Sequence, residues 1–430
     1  MHETQNQSAI SVPEILAPAG DAVALRAALD AGADAVYMGA GGLNMRSRAR
    51  NFQLEDLPEA VNACHAAGAR CYLTLNTVMY EDEYSTLSQI LDAATHAGVD
   101  AIIAWDWAVV AAARERGLEV HLSTQASVSN FSALMAVHQA FGVQRVVLAR
   151  ECTLEHIHSI QKSLTQVGNP VELEVFVHGA MCVAVSGRCF LSQYSCGQSA
   201  NRGACLQPCR RNYIVKEVDG EGEFLLGESH VMSPKDLCTM PFLERVLATG
   251  IRSLKIEGRM RSPEYVSTVV SAYRQAVDAW ASLVSEGKDP GQDEDFHRLK
   301  SESVERLQTV FNRGFSSGFY MGRPMDDWIK GPNNQATLSK ESVGTVVNYY
   351  RKAQVAMIAL QATDLKVGDD LLIQGPTTGN QSLRVDELRV NEQSCEQAQQ
   401  GSEVSVAVPF RVRRGDLVFR RIPNKGLETP

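Results

Sequence analysis

Four cysteines in one short polar window are the residues of this sequence best suited to chemistry. They are Cys182, Cys189, Cys205 and Cys209, in the pattern C-x6-C-x15-C-x3-C, and Gly, Arg, Gln, Ser and Asn surround them. Four thiolates can hold a zinc ion or an iron–sulfur cluster. Structural zinc sites favour two tight C-x2–4-C pairs, whereas here one pair is tight, so the spacing leaves both groups open.

The remaining cysteines have other settings. Cys64, Cys71 and Cys152 lie within apolar helix or strand patterns, where a thiol acts as a small hydrophobic group. Cys196 and Cys238 are reserve ligands. The N-terminal stretch MHETQNQSAISVPE lacks the basic and apolar regions of a signal peptide, so we expect a cytoplasmic protein that does not use its ten cysteines in disulfides.

A second set of candidate residues is basic and follows three predicted strands. Its members are Arg46, Arg48 and Arg50, then Arg202, Arg210 and Arg211, then Lys255, Arg259 and Arg261. The net charge of −9 speaks against a general nucleic-acid binder, but a local ring of cations attracts a phosphate backbone or a small dicarboxylate. We predict substrate contacts from Arg46, Arg48, Arg202 and Arg210. Ordinary salt bridges are the alternative.

The candidate catalytic groups are His178, Lys255, Glu257 and Arg259. His178 precedes Cys182 by four positions and could donate a proton, bind substrate or support a metal group; the alternative is a histidine bonded to a backbone carbonyl. Lys255 and Glu257 alternate along a strand and therefore point the same way, which predicts an acid/base couple at the end of that strand.

Two amides complete the candidate site. Asn76 in Leu-Asn-Thr and Gln125 in Thr-Gln-Ala fall at predicted strand ends. There they could bind a base edge or a carboxylate of the substrate, and a purely structural hydrogen bond is the alternative.

A repeated phrase of helix, glycine and short apolar strand must position these residues. The glycines are Gly32, Gly68, Gly98, Gly117, Gly142 and Gly250. Glycine suits a helix end because it takes the left-handed conformation at no Cβ cost. With two further strands at 14–17 and 171–177, eight strands alternate with helices, which predicts an α/β fold: a closed (β/α)8 TIM-like barrel whose post-strand loops carry the site. An open doubly wound sheet is the alternative.

Composition changes after Trp280 and again near residue 336, which divides the chain. The predicted segments are a disordered N-terminus (1–13), the barrel (14–283) with its cysteine loop (178–211), a helical and polar linker (284–335), a small C-terminal β-barrel (336–422) and a tail (423–430). The β segment rests on apolar runs at 343–347, 354–360, 370–373, 404–408 and 417–420.

The motif at 174–192, EVFVHGAMCVAVSGRCFLS, resembles the signature of the collagenase-like peptidase family U-32. Shorter matches occur at 16–20, 32–37, 75–77, 123–126, 201–205, 209–210 and 253–259. The resemblance covers about residues 14–330 and extends to a C-terminal β module found in some members.

Despite the family's name, this resemblance implies an iron–sulfur protein that supports oxygen-independent hydroxylation of an RNA base. It favours a [4Fe–4S] cluster over zinc on the four cysteines, with Cys238 as the substitute if Cys209 is not a ligand. It also implies prephenate as co-substrate and 5-hydroxyuridine at the tRNA wobble position as product. Synthesis of 5-hydroxycytidine in 23S rRNA is the near alternative.

Two other functions remain open: a peptidase, and a non-catalytic, cluster-bearing subunit of a homologous pair. The chain has no H-E-x-x-H motif, and a cysteine protease needs one thiolate paired with a histidine instead of four clustered thiols. No apolar run approaches the roughly 20 residues needed to cross a bilayer, so we expect no membrane partner.

Overall fold

Eight parallel strands close into a barrel in the computed structural model, which describes residues 12–47, 49–217, 224–227, 230–324 and 327–424. The strands of this domain are β1 (Glu14–Ala19), β2 (Ala35–Met38), β3 (Arg70–Leu75), β4 (Ala101–Ala104), β5 (Glu119–Leu122), β6 (Arg145–Val147), β7 (Glu172–Gly179), β8 (Val215–Glu217), β9 (Phe224–Gly227), β10 (Asp236–Cys238), β11 (Ser253–Ile256) and β12 (Phe315–Ser316). β11 pairs with both β1 and β7, which closes the ring of β1–β7 and β11. The predicted barrel is confirmed, and the open sheet is wrong.

Helices cover the outer face of the barrel. The helices of this domain are α1 (Ala22–Asp30), α2 (Leu57–Ala66), α3 (Tyr84–Ala97), α4 (Trp107–Glu115), α5 (Phe131–Phe141), α6 (Leu154–Gln166), α7 (Leu191–Cys196), α8 (Leu243–Leu247), α9 (Pro263–Ser285) and α10 (Glu294–Gln308). Of these, α7 lies in the cysteine loop. Gly98 and Gly142 end α3 and α5 at φ values of 77° and 62°, the left-handed conformation expected at a helix end. Within the described residues, no helix is long and apolar enough to span a bilayer.

Buried charges run through the barrel interior and meet below its mouth. Arg145 donates to Glu14 at 2.7 Å, and its guanidinium lies 3.8 Å from the Glu174 carboxylate. Glu174 in turn accepts from Lys255 Nζ at 2.6 Å. Because a buried charge is tolerated only when it is paired, each of these groups holds its neighbour in place.

Residues 284–335 were predicted to be a helical and polar linker; the helix is present as α10, but the segment packs into the core of the barrel domain instead of linking two domains. α10 packs against α9, and its Phe296 and Leu307 are buried in the same apolar core as the barrel helices. β12 pairs with β10, which runs antiparallel beside β7. The buried residues of α10, which are Phe296, Lys300, Ser303 and Leu307, recur at helical spacing, and the charge of Lys300 is paired with Glu244 at 2.6 Å.

An antiparallel β domain follows, which confirms the predicted all-β module. Its strands are β13 (Leu338–Tyr350), β14 (Val355–Leu360), β15 (Leu365–Lys366), β16 (Asp370–Gly375), β17 (Gly379–Arg384), β18 (Leu388–Val390), β19 (Gln393–Ser394), β20 (Gln397–Ala398), β21 (Glu403–Ala407) and β22 (Leu417–Pro423). The main sheet has the order β17-β16-β22-β13-β14-β21-β18-β19 and encloses its own apolar core. β17 packs against α1, and Lys340 bonds Glu264 of α9 at 2.8 Å, so the two domains are in direct contact.

The predicted disordered N-terminus (1–13) and tail (423–430) fall mostly outside the described residues. Leu417–Pro423 shows that the last strand continues one residue into the predicted tail.

Candidate active site

A polar cavity, which we call the mouth pocket, lies at the carboxyl ends of the barrel strands. Its charged and amide lining residues are Arg46, Asn76, Gln125, Arg150, Lys255, Glu257 and Arg259, and Cys182 lies on its wall. The segments that follow β2, β3, β5, β6, β7 and β11 therefore converge where a (β/α)8 barrel carries its active site. All of these side chains except Arg150 were candidates from the sequence.

Glu257 is held as a carboxylate in the mouth pocket. Its Oε1 accepts from Arg46 at 2.9 Å. Burial acts to raise the pKa of Glu257, but Arg46, Arg150 and Arg259 outweigh burial and lower this pKa to about 2. Glu257 is therefore ionised at neutral pH and is suited to orienting cations, not to donating a proton.

Lys255 and Glu257 share the pocket, but the predicted couple between them is wrong. Lys255 pairs with Glu174 below the pocket at 2.6 Å, and Nζ also lies 4.7 Å from the ring centre of Tyr37. Burial acts to raise the pKa of Glu174, but Lys255 and Arg145 lower it overall. Each member of the predicted couple thus has its own oppositely charged partner.

Arg259 and Arg150 bring two further cations to the mouth pocket. Arg259 is buried and donates to Asn44 Oδ1 at 3.0 Å and to Thr74 Oγ1 at 2.6 Å. Burial lowers the pKa of Arg259 to about 10. Arg150 lies 4.1 Å from the ring centre of Phe176 and, like Arg259, has a buried Nε without a hydrogen-bond partner in the described part of the chain. Its place directly after a predicted strand is the signal that could have identified it.

The two predicted amides lie in the mouth pocket and also serve the fold. Asn76 Oδ1 accepts the backbone N–H of Met45 at 3.1 Å, which holds the loop that carries Arg46. Gln125 Oε1 accepts from the Ser123 hydroxyl. In both side chains the oxygen serves the fold, and the amide nitrogen can face a ligand.

His178 lies outside the mouth pocket, so the structure contradicts its prediction as a catalytic group. The register of β7 against β11 shifts between Lys255 and Ile256, and beyond this bulge the imidazole packs against Tyr265, Tyr273 and Phe315. A bulge redirects the side chains that follow it. The ring is 2% exposed, and burial lowers its pKa to about 3, so it stays neutral.

Arg202 and Arg210 brace loops and do not line the mouth pocket, contrary to the prediction. Arg202 forms a salt bridge with Glu83 at 2.8 Å, and its guanidinium lies 4.6 Å from the ring centre of Tyr80. For Arg202, the alternative of an ordinary salt bridge is therefore correct. Arg210 is buried and donates to Ser233 Oγ at 2.7 Å and to two backbone carbonyls. Arg48 lies outside the described residues.

The four predicted ligand cysteines gather in one loop region without converging on a point. Burial raises the pKa of Cys209, and the three other thiols, Cys182, Cys189 and Cys205, are near enough to raise it further. Among the described residues, no three His, Cys, Asp or Glu side chains are arranged to hold a metal ion. The loop thus collects four soft donors in one region of the structure.

Local backbone geometry fits these cysteines to a thiolate-ligated group. The N–H of Leu191 donates to Cys189 Sγ at 3.3 Å, and the N–H of Gln207 donates to Cys205 Sγ at 3.4 Å. Hydrogen bonds from backbone amides stabilise a thiolate and tune iron–sulfur clusters. The donor set and these amides fit a [4Fe–4S] cluster.

The predicted substitute ligand Cys238 lies in a different environment. It is buried on β10 beside Tyr273, and burial raises its pKa to about 12. Cys209, in contrast, lies within electrostatic range of the other three thiols. Cys209 is therefore grouped with the other three thiols in the structure.

A second cavity of about 400 Å³, which we call the side cavity, shares Cys182 with the mouth pocket. Its lining is largely apolar and includes Met181, Phe319 and Trp328. Glu151 at its edge accepts both the N–H and the hydroxyl of Ser186, at 2.8 and 2.7 Å, and so fixes the cysteine loop over the cavity.

These features define a (β/α)8-barrel protein with a cation-rich pocket and a four-cysteine loop at the strand ends. The chain belongs to peptidase family U32, whose model matches residues 20–330. It is 41% identical over 414 residues to a collagenase of Porphyromonas gingivalis (strain ATCC BAA-308 / W83), and the match covers 95% of this chain and 97% of that protein.

Other relatives have names that refer to RNA. The chain is 38% identical to tRNA hydroxylation protein P1 of Bacillus subtilis (strain 168), over 86% of this chain and 85% of that protein. It is 34% identical to a 23S rRNA 5-hydroxycytidine synthase of Escherichia coli (strain K12), over 74% of this chain and 49% of that protein. The family thus includes proteins named for peptidase activity and proteins named for RNA hydroxylation.

Proposed function

We propose that this protein is an RNA-modifying enzyme that hydroxylates a base without using molecular oxygen, with a [4Fe–4S] cluster on Cys182, Cys189, Cys205 and Cys209. The product we propose is 5-hydroxyuridine at the tRNA wobble position, formed with prephenate as co-substrate. The observation that carries the proposal is the place of Cys182, on the wall shared by a cation-rich pocket and an apolar cavity. One cluster would then be adjacent to two different ligands.

The mouth pocket suits a small dicarboxylate. Its described lining holds four cations, Arg46, Arg150, Lys255 and Arg259, against the carboxylate of Glu257. Lys255 is neutralised by Glu174 from below, which leaves a surplus of positive charge among the arginines. Guanidinium groups bind carboxylates in pairs of hydrogen bonds, and within the described residues the buried Nε atoms of Arg150 and Arg259 are free donors.

The side cavity suits an unpaired base. Enzymes that act on a base draw it out of its stack and hold it against aromatic and apolar side chains. Trp328 and Phe319 provide such surfaces, and Arg323 and Asp327 provide polar groups at the edge. When bound, the cluster would supply redox chemistry next to both ligands. The protein's own contribution is to orient the two ligands and to exclude bulk water.

The proposal is tested in a bacterial host that lacks its own tRNA and rRNA hydroxylation proteins. The chain is expressed there, and nucleosides from purified tRNA and rRNA are measured by mass spectrometry. We expect 5-hydroxyuridine in tRNA with the wild-type chain, and none with Cys182→Ala or in a host unable to make prephenate. Unchanged nucleosides in both RNAs would refute the proposed enzymatic activity. The hypothesis of a non-catalytic subunit would then remain, and co-expression with a homologous partner would test it.

A second candidate, 5-hydroxycytidine synthesis in 23S rRNA, is favoured by the named relative at 34% identity. The same measurement separates the two, because the modified nucleoside and the RNA that carries it differ.

Peptidase activity is the third candidate, since the P. gingivalis relative is named a collagenase. Residues 314–318 have the G-x-S-x-G spacing of hydrolase nucleophiles. However, Ser316 lies on β12 instead of a strand-to-helix turn, and its hydroxyl accepts the Gly318 N–H at 3.2 Å. We expect no cleavage of gelatin or collagen; cleavage that disappears in Ser316→Ala would favour the peptidase.

A further inference from the structure

A second polar recess, which we call the interdomain groove, lies where the barrel meets the C-terminal β domain. The loops that follow β1, β2 and β11 form one side, and β13, β16 and β22 form the other. Its volume is about 440 Å³. Arg259 lines both the groove and the mouth pocket, so the two recesses are neighbours.

The charges of the interdomain groove are mostly positive. Arg50, Arg259, Arg261 and Lys340 line it, against the carboxylate of Asp21, and Lys340 is also paired with Glu264 at 2.8 Å. The Arg50 side chain is 83% exposed and forms a salt bridge with Asp21 at 3.3 Å. A solvent-exposed pair of this kind contributes little to stability. The charge of Arg50 is therefore available to another partner.

Arg261 is the most unusual cation of the groove. Its guanidinium lies 3.6 Å from the ring centre of Phe311, and among the described residues no carboxylate forms a salt bridge with it. Stacking on an aromatic ring fixes the orientation of a guanidinium while its N–H donors remain available. This arrangement leaves an oriented cation that an incoming anion can neutralise.

Exposed apolar groups alternate with these cations. Met260 is 51% exposed and Leu417 is 49% exposed, and the partly exposed ring of Phe419 lies 4.6 Å from Lys340 Nζ. A groove that combines cations for phosphates with apolar and aromatic surface for bases and sugars is typical of proteins that bind single-stranded nucleic acid. An acidic peptide would use the cations but has no evident need of the flat apolar surface.

We propose that the interdomain groove binds the phosphate backbone of the RNA substrate on the side that flanks the nucleotide presented at the mouth. This inference rests on the proposed function and gives the C-terminal β domain a role in it. Arg50, Arg261 and Lys340 contact successive phosphates, and neither domain by itself provides the complete groove.

The test measures RNA binding separately from hydroxylation. Full-length protein is titrated into fluorescently labelled tRNA at several salt concentrations, for wild type and for Arg50→Gln, Arg261→Gln and Lys340→Gln. The slope of log K against log salt should decrease in magnitude by about 0.7–0.9 for each phosphate that a variant no longer binds, which corresponds to about five- to eightfold weaker binding at 0.1 M salt. Arg298→Gln, which removes an exposed arginine of α10 outside the groove, should leave the slope unchanged.

The outcomes separate this proposal from the proposed function. Equal salt slopes in wild type and all three groove variants would overturn the proposal that the groove binds RNA, even if the chain hydroxylates RNA. A wild-type protein that does not bind tRNA would also overturn it. Reduced slopes in a chain that hydroxylates no RNA would support the groove while the proposed reaction fails. Arg50→Gln is decisive if the other variants unfold, because its side chain is almost fully exposed.

Discussion

Replacing Glu257 by Gln should destabilise the protein in a pH-dependent way. The carboxylate is 14% exposed and pairs with Arg46 at 2.9 Å. Its pKa falls from an ordinary 4.5 to about 2 on folding. A difference of about 2.5 units corresponds to about 3 kcal/mol of folding free energy at neutral pH.

The sign of the pH dependence follows from the lowered pKa. A carboxylate whose pKa is depressed in the folded state stabilises that state above pH 4.5, and the stabilisation is lost as the pH falls toward 2. At pH 3.5 about 2 kcal/mol of the contribution should remain. The free-energy difference between wild type and Glu257→Gln should therefore shrink by about one third between pH 7 and pH 3.5.

Urea denaturation followed by circular dichroism at the two pH values measures this difference. Glu387→Gln is the matched control, because Glu387 pairs with Arg389 at 2.7 Å on an exposed surface, where the loss should stay below about 1 kcal/mol. A loss for Glu257→Gln no larger than that of the control, or one equal at both pH values, would refute the electrostatic account of the mouth pocket.

Three other substitutions test the ion pair, the cluster and the fold. Lys255→Met should lower the free energy of unfolding by about 3–5 kcal/mol, because it removes the cation bonded to the buried Glu174 and leaves only Arg145, at 3.8 Å; urea titration showing a neutral effect would contradict the buried ion pair. Cys182→Ala should abolish the broad absorption near about 400 nm expected of the anaerobically purified protein, whereas stoichiometric zinc without iron in the wild type would reject the cluster. Phe296→Ala should cost about 3–5 kcal/mol if α10 belongs to the barrel core, and a loss near zero would restore the linker interpretation.

Most of the fold was predictable because its signals are local. Glycines at helix ends and short apolar runs identify each strand–helix unit, and the closing strand Ser253–Ile256 was identified in the same way. The failures occurred where local polarity misleads. α10 is rich in charged residues, and β17 (Gly379–Arg384) has Leu383 as its one large apolar residue, so the composition of these segments does not reveal their buried contacts.

Much of the site was predictable because the barrel places strand ends together. Arg46, Asn76 and Gln125 were chosen as polar residues at strand ends, and all three line the mouth pocket. His178 was chosen by the same rule and is wrong, because one bulge turns its side chain out of the barrel. Bulges are determined by pairing with a partner strand and are not visible in the sequence of one strand.

The amino-acid sequence by itself determined the repeating units, the family and the loop that carries the four thiols, since these depend on residue type and spacing along one segment. The tertiary structure decided which charges pair. It joined Lys255 to Glu174 and Glu257 to Arg46, added Arg150 to the pocket, and brought β22 beside the loop after β11 to form the interdomain groove. Such pairings join residues from distant parts of the chain, and their energies depend on distance and burial, which become defined only when the barrel closes.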